Sequence, residues 1–193
     1  MINIRISIRL HLAVDDEWVP ADLVVAEGLP INADASALSI VIDDTEHLLD
    51  VWNLGRVDLI TAQADDCVRR LRRTEPAILR SAVLGVLGVP YLLFDPPEGD
   101  GESARVSKFF ITDDIVGSWL PLPGWGVDDP QDLFDWVEQH RAELLGPAAA
   151  EPEDGDPMVE LAVPFDELLE QLELLATTGR DVIGGDPAVG WDD

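Results

Sequence analysis

Basic residues are scarce in this chain, and thiols scarcer still. Of 193 residues, 12 are lysine or arginine and 39 are aspartate or glutamate, which leaves a formal net charge of −27 at pH 7. Lys108 is the one lysine and Cys67 the one cysteine. A single cysteine excludes an internal disulfide and a thiolate metal cluster. The shortage of cations argues against direct nucleic-acid binding, because affinity for a phosphate backbone rests on summed neutralisation. The same field repels an anionic membrane and attracts cationic partners over about a Debye length.

Several catalytic patterns are missing too. The chain has no G-x-S-x-G, no H-E-x-x-H, no P-loop and no G-x-G-x-x-G. His11, His47 and His140 stand apart, without a second histidine at helical spacing. No stretch reads as a membrane span: the longest apolar run, residues 77–94, is interrupted by Arg80 and Pro90. The first ten residues alternate in polarity instead of forming a cationic then apolar leader. The expected location is cytoplasmic, and no cofactor is expected.

Hydrophobic residues nevertheless make up 47% of the chain, with a mean hydropathy of +0.08. That content separates it from disordered acidic chains and is enough to build a core at this length. The acidity has two readings, general solvation or a device for binding.

Residues 64–94 look central, combining the one basic island (Arg69, Arg70, Arg72, Arg73) with the longest apolar run. The pattern predicts a helix opening at Asp65-Asp66 and closing on the arginines, as the helix dipole favours. A second helix over residues 76–87 and a buried strand over 91–94 are expected next. Four arginines in so acidic a chain are expected to pair with its own carboxylates.

Elsewhere, residues 1–12 alternate strictly and predict a strand with one wet face bearing Arg5, Ser7, Arg9 and His11. A turn is expected at Asp15-Asp16-Glu17, a second strand over 18–25 kept to an edge by Pro20, and a third over 37–42. Thr45 is placed as the cap of a helix over 46–53 ending near Gly55, and residues 57–61 as a connector or short strand. A loop over 95–102 should join strands 91–94 and 106–111. Residues 119–127 are irregular, and Asp128-Asp129-Pro130 opens a helix. Strand 158–163 and helix 165–178, ending at Gly179, complete the reading. The fold class is α+β, a mainly antiparallel sheet with several helices packed on it around a single compact core. Its parts are a core domain over 1–145, an acidic Pro/Ala/Gly linker or loop over 146–157, and a strand–helix segment with a loose acidic tail over 158–193.

The expected function is that of a non-enzymatic acidic binding protein that neutralises or sequesters a basic protein, such as a toxin, nuclease or deaminase. This is the manner of an immunity protein, an antitoxin or a nucleic-acid-mimic inhibitor. Aromatic anchors ringed by acid suit such a partner, which places the binding residues at Trp119, Trp125, Asp128, Asp129, Asp132, Asp135 and Trp136. The alternative is a structural or assembly protein of a phage-like particle, a homo-oligomer joined through strand edges such as residues 1–12. Least favoured is a divalent-metal hydrolase on the aspartate pairs, since pairs such as Asp43-Asp44, Asp65-Asp66 and Asp128-Asp129 stand where helices are expected to begin.

Overall fold

The computed structural model describes residues 5–29, 31–43, 46–80, 90–99, 101–110 and 159–184. The alternating N-terminal segment forms β1 (Ile6–Val14), with Ile6, Ile8, Leu10 and Leu12 all buried. Asp15 and Asp16 then take φ of 49° and 65°, and Val14 pairs with Glu17. Two successive positive φ values make the tight hairpin turn whose twist matches its strands, and aspartate tolerates that region better than most side chains. The returning strand β2 (Glu17–Pro20) ends at its proline. Residues 21–25, expected to continue it, turn instead into helix α1 (Ala21–Glu27), which buries Ala21 and Val24 and stops at Gly28 in the left-handed region. Pro20 cannot donate to a ladder, so the strand ends on the edge of its sheet as expected, and sooner.

Beyond α1, β3 (Asn32–Ile42) runs antiparallel to β1, and β4 (Glu46–Gly55) runs antiparallel to β3. This corrects the helix expected over 46–53. The β3–β4 register shifts at three places. Each irregularity displaces the apolar positions from period two and hides the strand in the sequence. Asp43 closes the end of this sheet, with its N–H donating to Arg5 O (2.9 Å) and its carboxylate accepting the Arg5 N–H (2.7 Å).

Helix α2 (Val57–Leu71) buries Val57, Ile60, Thr61, Ala64, Cys67, Val68 and Leu71 along one stripe. It begins eight residues before Asp65, so the connector expected over 57–61 is its first turn. No capping side chain marks the start, because its N-cap is Arg56. The stripe also includes small or polar residues that weaken the hydrophobic signal. After the arginines, Ala77, Ile78 and Leu79 form strand β5 (Ala77–Arg80), correcting the second helix at residues 77–80. A short run buried on both faces carries no period to tell strand from helix.

Strands β6 (Pro90–Asp95) and β7 (Ser103–Phe110) pair as expected, and β8 (Val159–Pro164) adds to β7. Among the described residues two four-stranded antiparallel sheets result, in the orders β2-β1-β3-β4 and β5-β6-β7-β8. Helix α3 (Phe165–Ile183) buries Leu168, Leu172, Leu175, Ala176, Gly179 and Val182 against α2 and β1. Each buried leucine is worth about 1.5–3 kcal/mol of transfer. The helix passes through Gly179, expected as its stop, and ends at Gly184 with φ 83°. Both sheets and all three described helices contribute to one core, so the α+β class and single core hold. The expected linker over 146–157 and helix at 128–145 lie outside the described residues.

Two features tie α3 in place. A Cβ on Gly179 would lie 2.0 Å from Thr61 Oγ1, so α2 and α3 cross where only glycine fits. Along β1, β2 covers only residues 11–14. The Ile6 and Ile8 amides donate to Glu167 Oε1 (3.3 Å) and Gln171 Oε1 (3.1 Å) on α3. Four helical residues advance about 6 Å and two strand residues about 6.6 Å, so an i, i+4 pair on a helix matches alternate amides of a strand.

Gly179→Ala should therefore destabilise by about 1–3 kcal/mol through overpacking, although glycine to alanine inside a helix ordinarily gains about 1 kcal/mol. Adding Thr61→Ala should return part of the loss in urea unfolding; a stabilised single variant would show the crossing is not tight. Glu167→Ala with Gln171→Ala should cost about 1–3 kcal/mol per orphaned amide and promote strand pairing between molecules. Unchanged unfolding and unchanged light scattering would remove that role.

Candidate interaction surface

The expected binding residues Trp119, Trp125, Asp128, Asp129, Asp132, Asp135 and Trp136 lie outside the described residues. So do Asp113-Asp114 and Asp192-Asp193. What the structure does place is the chain's basic groups and several acids.

Three of the four arginines of the island serve the fold. Arg69 pairs with Asp66 one turn back, and Arg72 reaches Glu173 on α3. Arg70 Nε donates to Pro76 O (2.8 Å), fastening the turn before β5. From the other side, Arg180 on α3 binds both carboxylate oxygens of Asp65 (2.8 and 2.7 Å). Asp65 and Asp66, mid-helix and not at a helix start, are thus each matched to an arginine. Arg56–Asp58 and the cross-strand pair Arg105–Asp95 follow the same habit. These pairs are largely exposed, so each contributes about 0–1 kcal/mol. Their larger effect is to spend the few cations internally. Among the described residues no group of three or more His, Cys, Asp or Glu converges as a metal site would require, and no helix is long and apolar enough to cross a membrane.

His11, expected on a wet strand face, is buried at 7% exposure with Nε2 2.8 Å from Ser39 Oγ, itself 4% exposed. An imidazole–hydroxyl pair has the reach of a base and nucleophile. Neither group is presented to a substrate, so here it joins β1 to β3. Lys108 is also buried, at 1% exposure, in register with Leu92 and, through it, Leu79 on the core side of the second sheet. Ser107, Leu93 and Ile78 form the neighbouring cross-strand row, and they too are buried. Nothing in the composition marks Lys108 as interior; its place follows only from strand register.

The described acidic surface is most one-sided near α1. From Leu10 to Gly55 the sequence has no lysine or arginine. Asp15, Asp16, Glu17, Asp22, Glu27 and Asp34 are all exposed in this region. Leu23, Val25 and Ile31 stand among them, 43%, 45% and 42% exposed. Reading for basic clusters and tryptophans missed this surface; the base-free interval was its sequence signal.

This arrangement defines a class only at the level of architecture: a two-sheet antiparallel α+β protein with helices in its core. No protein-family model, curated protein or solved structure matches the chain.

Burial also sets a pH limit. Desolvation raises the Cys67 thiol above its ordinary 9.0, with the nearby Asp66 adding to the effect. Desolvation likewise raises Tyr91 above 10.0, with Arg80 partly opposing it. Both are neutral when protonated, so their folded-state contribution is full below the unfolded pKa and lost as pH rises through the raised folded value. Unfolding free energy should fall above about pH 9, by up to about 1.4 kcal/mol per pH unit for each group. Cys67→Ala should flatten the first part of that decline in urea titrations. An identical slope in the variant would exclude the thiol as its source.

Proposed function

We propose that the chain is a non-enzymatic acidic binding protein that holds a basic protein partner, such as a toxin, nuclease or deaminase, and so neutralises or sequesters it. The observation that carries this reading is the fate of the cations. Five arginines are engaged with the chain's own carboxylates, and the one lysine is buried. Arg5, Arg9 and Arg73 are exposed, but against 39 acids they leave the chain strongly negative. Complementary charge of this kind speeds encounter and selects partners by sign. A nucleic-acid-mimic inhibitor uses the same physics, presenting negative charge where the partner expects phosphates.

Assembly into a phage-like particle through the edge of residues 1–12 has less support. β1 lies between β2 and β3, and its remaining open amides at Ile6 and Ile8 are taken up by α3.

A pull-down from the native host should return a protein of high isoelectric point, with affinity falling steeply between low and physiological salt. A salt-independent complex with an acidic partner would overturn the reading.

A further inference from the structure

We infer that Arg5, Ser7 and Arg9, on the outer face of the first sheet, form a binding site for a phosphate dianion, free or carried by a small monoester. The inference goes beyond the proposed binding of a basic protein, because it uses charge of the opposite sign. Arg5 and Arg9 are exposed and Ser7 is half-buried. Ile6 and Ile8, which alternate with them, are buried in the core. Strand alternation therefore turns Ser7 and Arg9 outward together, and Arg5 joins them just before β1 begins.

One contact brings this row together. Arg9 Nε donates to Ser7 Oγ (3.4 Å), so the Arg9 side chain runs back along the strand toward Arg5. Successive outward residues on a strand stand about 6.6 Å apart, a distance an arginine side chain spans. Both guanidiniums can thus meet over the Ser7 hydroxyl. No acid lies between them to offset two like charges. Among the described residues neither guanidinium forms an ion pair, unlike those of Arg56, Arg69, Arg72, Arg105 and Arg180. Asp43, at the end of the sheet, accepts the backbone N–H of Arg5 (2.7 Å). Across β3, Val41 stands opposite Ser7 and Ser39 opposite Arg9, and the Ser39 hydroxyl is engaged by His11.

The donors choose the ligand. Two planar forks of N–H groups and one hydroxyl match the oxygens of a phosphate, which carries about two negative charges at pH 7. A carboxylate brings one charge and two oxygens. A nucleic-acid strand needs more neutralised phosphates than two arginines supply in so acidic a chain. Charges farther away than about 8 Å are largely screened at physiological ionic strength, so the local pair decides binding of a small anion. Val41, half-buried beside Ser7, offers an apolar seat for the organic part of a monoester.

The test titrates the full-length chain with inorganic phosphate, phenyl phosphate and acetate at constant ionic strength, read by amide NMR shifts. Both phosphates should move residues 5–9 and 39–43, and acetate should bind about tenfold more weakly or worse. Tighter binding of phenyl phosphate would make a monoester the ligand, and equal affinities would make it free phosphate. Arg5→Gln/Arg9→Gln should lower phosphate affinity by about tenfold or more, while Arg56→Gln, which removes an exposed arginine already paired with Asp58, should leave it unchanged. Both arginines of the site are exposed, and the bond from Arg5 to Asp43 comes from its backbone, so thermal unfolding of the double variant should barely move. Acetate binding as tightly as phosphate, shifts spread over the whole molecule, or the same affinity in the double variant would overturn the site, as would failure of both phosphates to bind. None of these results bears on the binding of a basic partner, which the salt-dependent pull-down tests separately.

Discussion

The close crossing of α2 and α3 at Thr61 and Gly179 is the constraint on which the rest of the structure depends. With no side chain at Gly179, the two helices approach until one threonine fills the gap. That distance lets α3 do four things at once. It drops Leu168, Leu172 and Leu175 into the core, offers Arg180 to Asp65 and meets Arg72 through Glu173. It also brings Glu167 and Gln171 to the open half of β1. A wider crossing would weaken all of these together, because one rigid helix carries them.

The electrostatics follow from the same packing. Of the few cations, Arg72 and Arg180 join α2 to α3, Arg105 pairs across β6 and β7, and Arg70 steadies a turn, while Arg56 and Arg69 pair with acids two and three residues away. Individually these pairs are weak. With 39 acids against 12 bases, this pairing still leaves a large excess of negative charge on the molecule. Self-repulsion is the cost, opposed by apolar burial from both sheets in a single core.

Much of this fold was legible in the residues. The alternation of β1, the aspartate turn, the hairpin of β6 and β7, and the β8–α3 unit all follow from period and turn chemistry. For Arg69 and Arg72 of the island, pairing with carboxylates followed from charge arithmetic. Four elements were not legible, each for a physical reason. α1 spans only seven residues directly after a strand that ends at a proline, too short to show a helical period. β4 is broken by bulges that destroy its alternation. The start of α2 lacks a capping side chain, so Asp65-Asp66 looked like its first turn. β5 is buried on both faces and has no period at all. Gly179 misled in a different way: its conformational freedom suggested a helix end, whereas its missing side chain was the point. The exposed acidic surface around α1 was harder still to see. Tryptophans and aspartate pairs draw attention, while the surface around α1 is marked by an absence of bases across an interval and by ordinary leucine and valine left exposed.

The interior position of Lys108 has a practical consequence. It is the one lysine of the chain and 1% exposed, so every reagent that attacks lysine side chains meets the folded protein with its only such amine out of reach. Lysine-specific proteases, and acylating dyes once their reaction with an N-terminal α-amine is set apart, thus become reporters of opening at a single core position. Their reaction with Lys108 follows the rate at which the second sheet parts, and a partner that stabilises the folded chain slows that reaction without touching the residue.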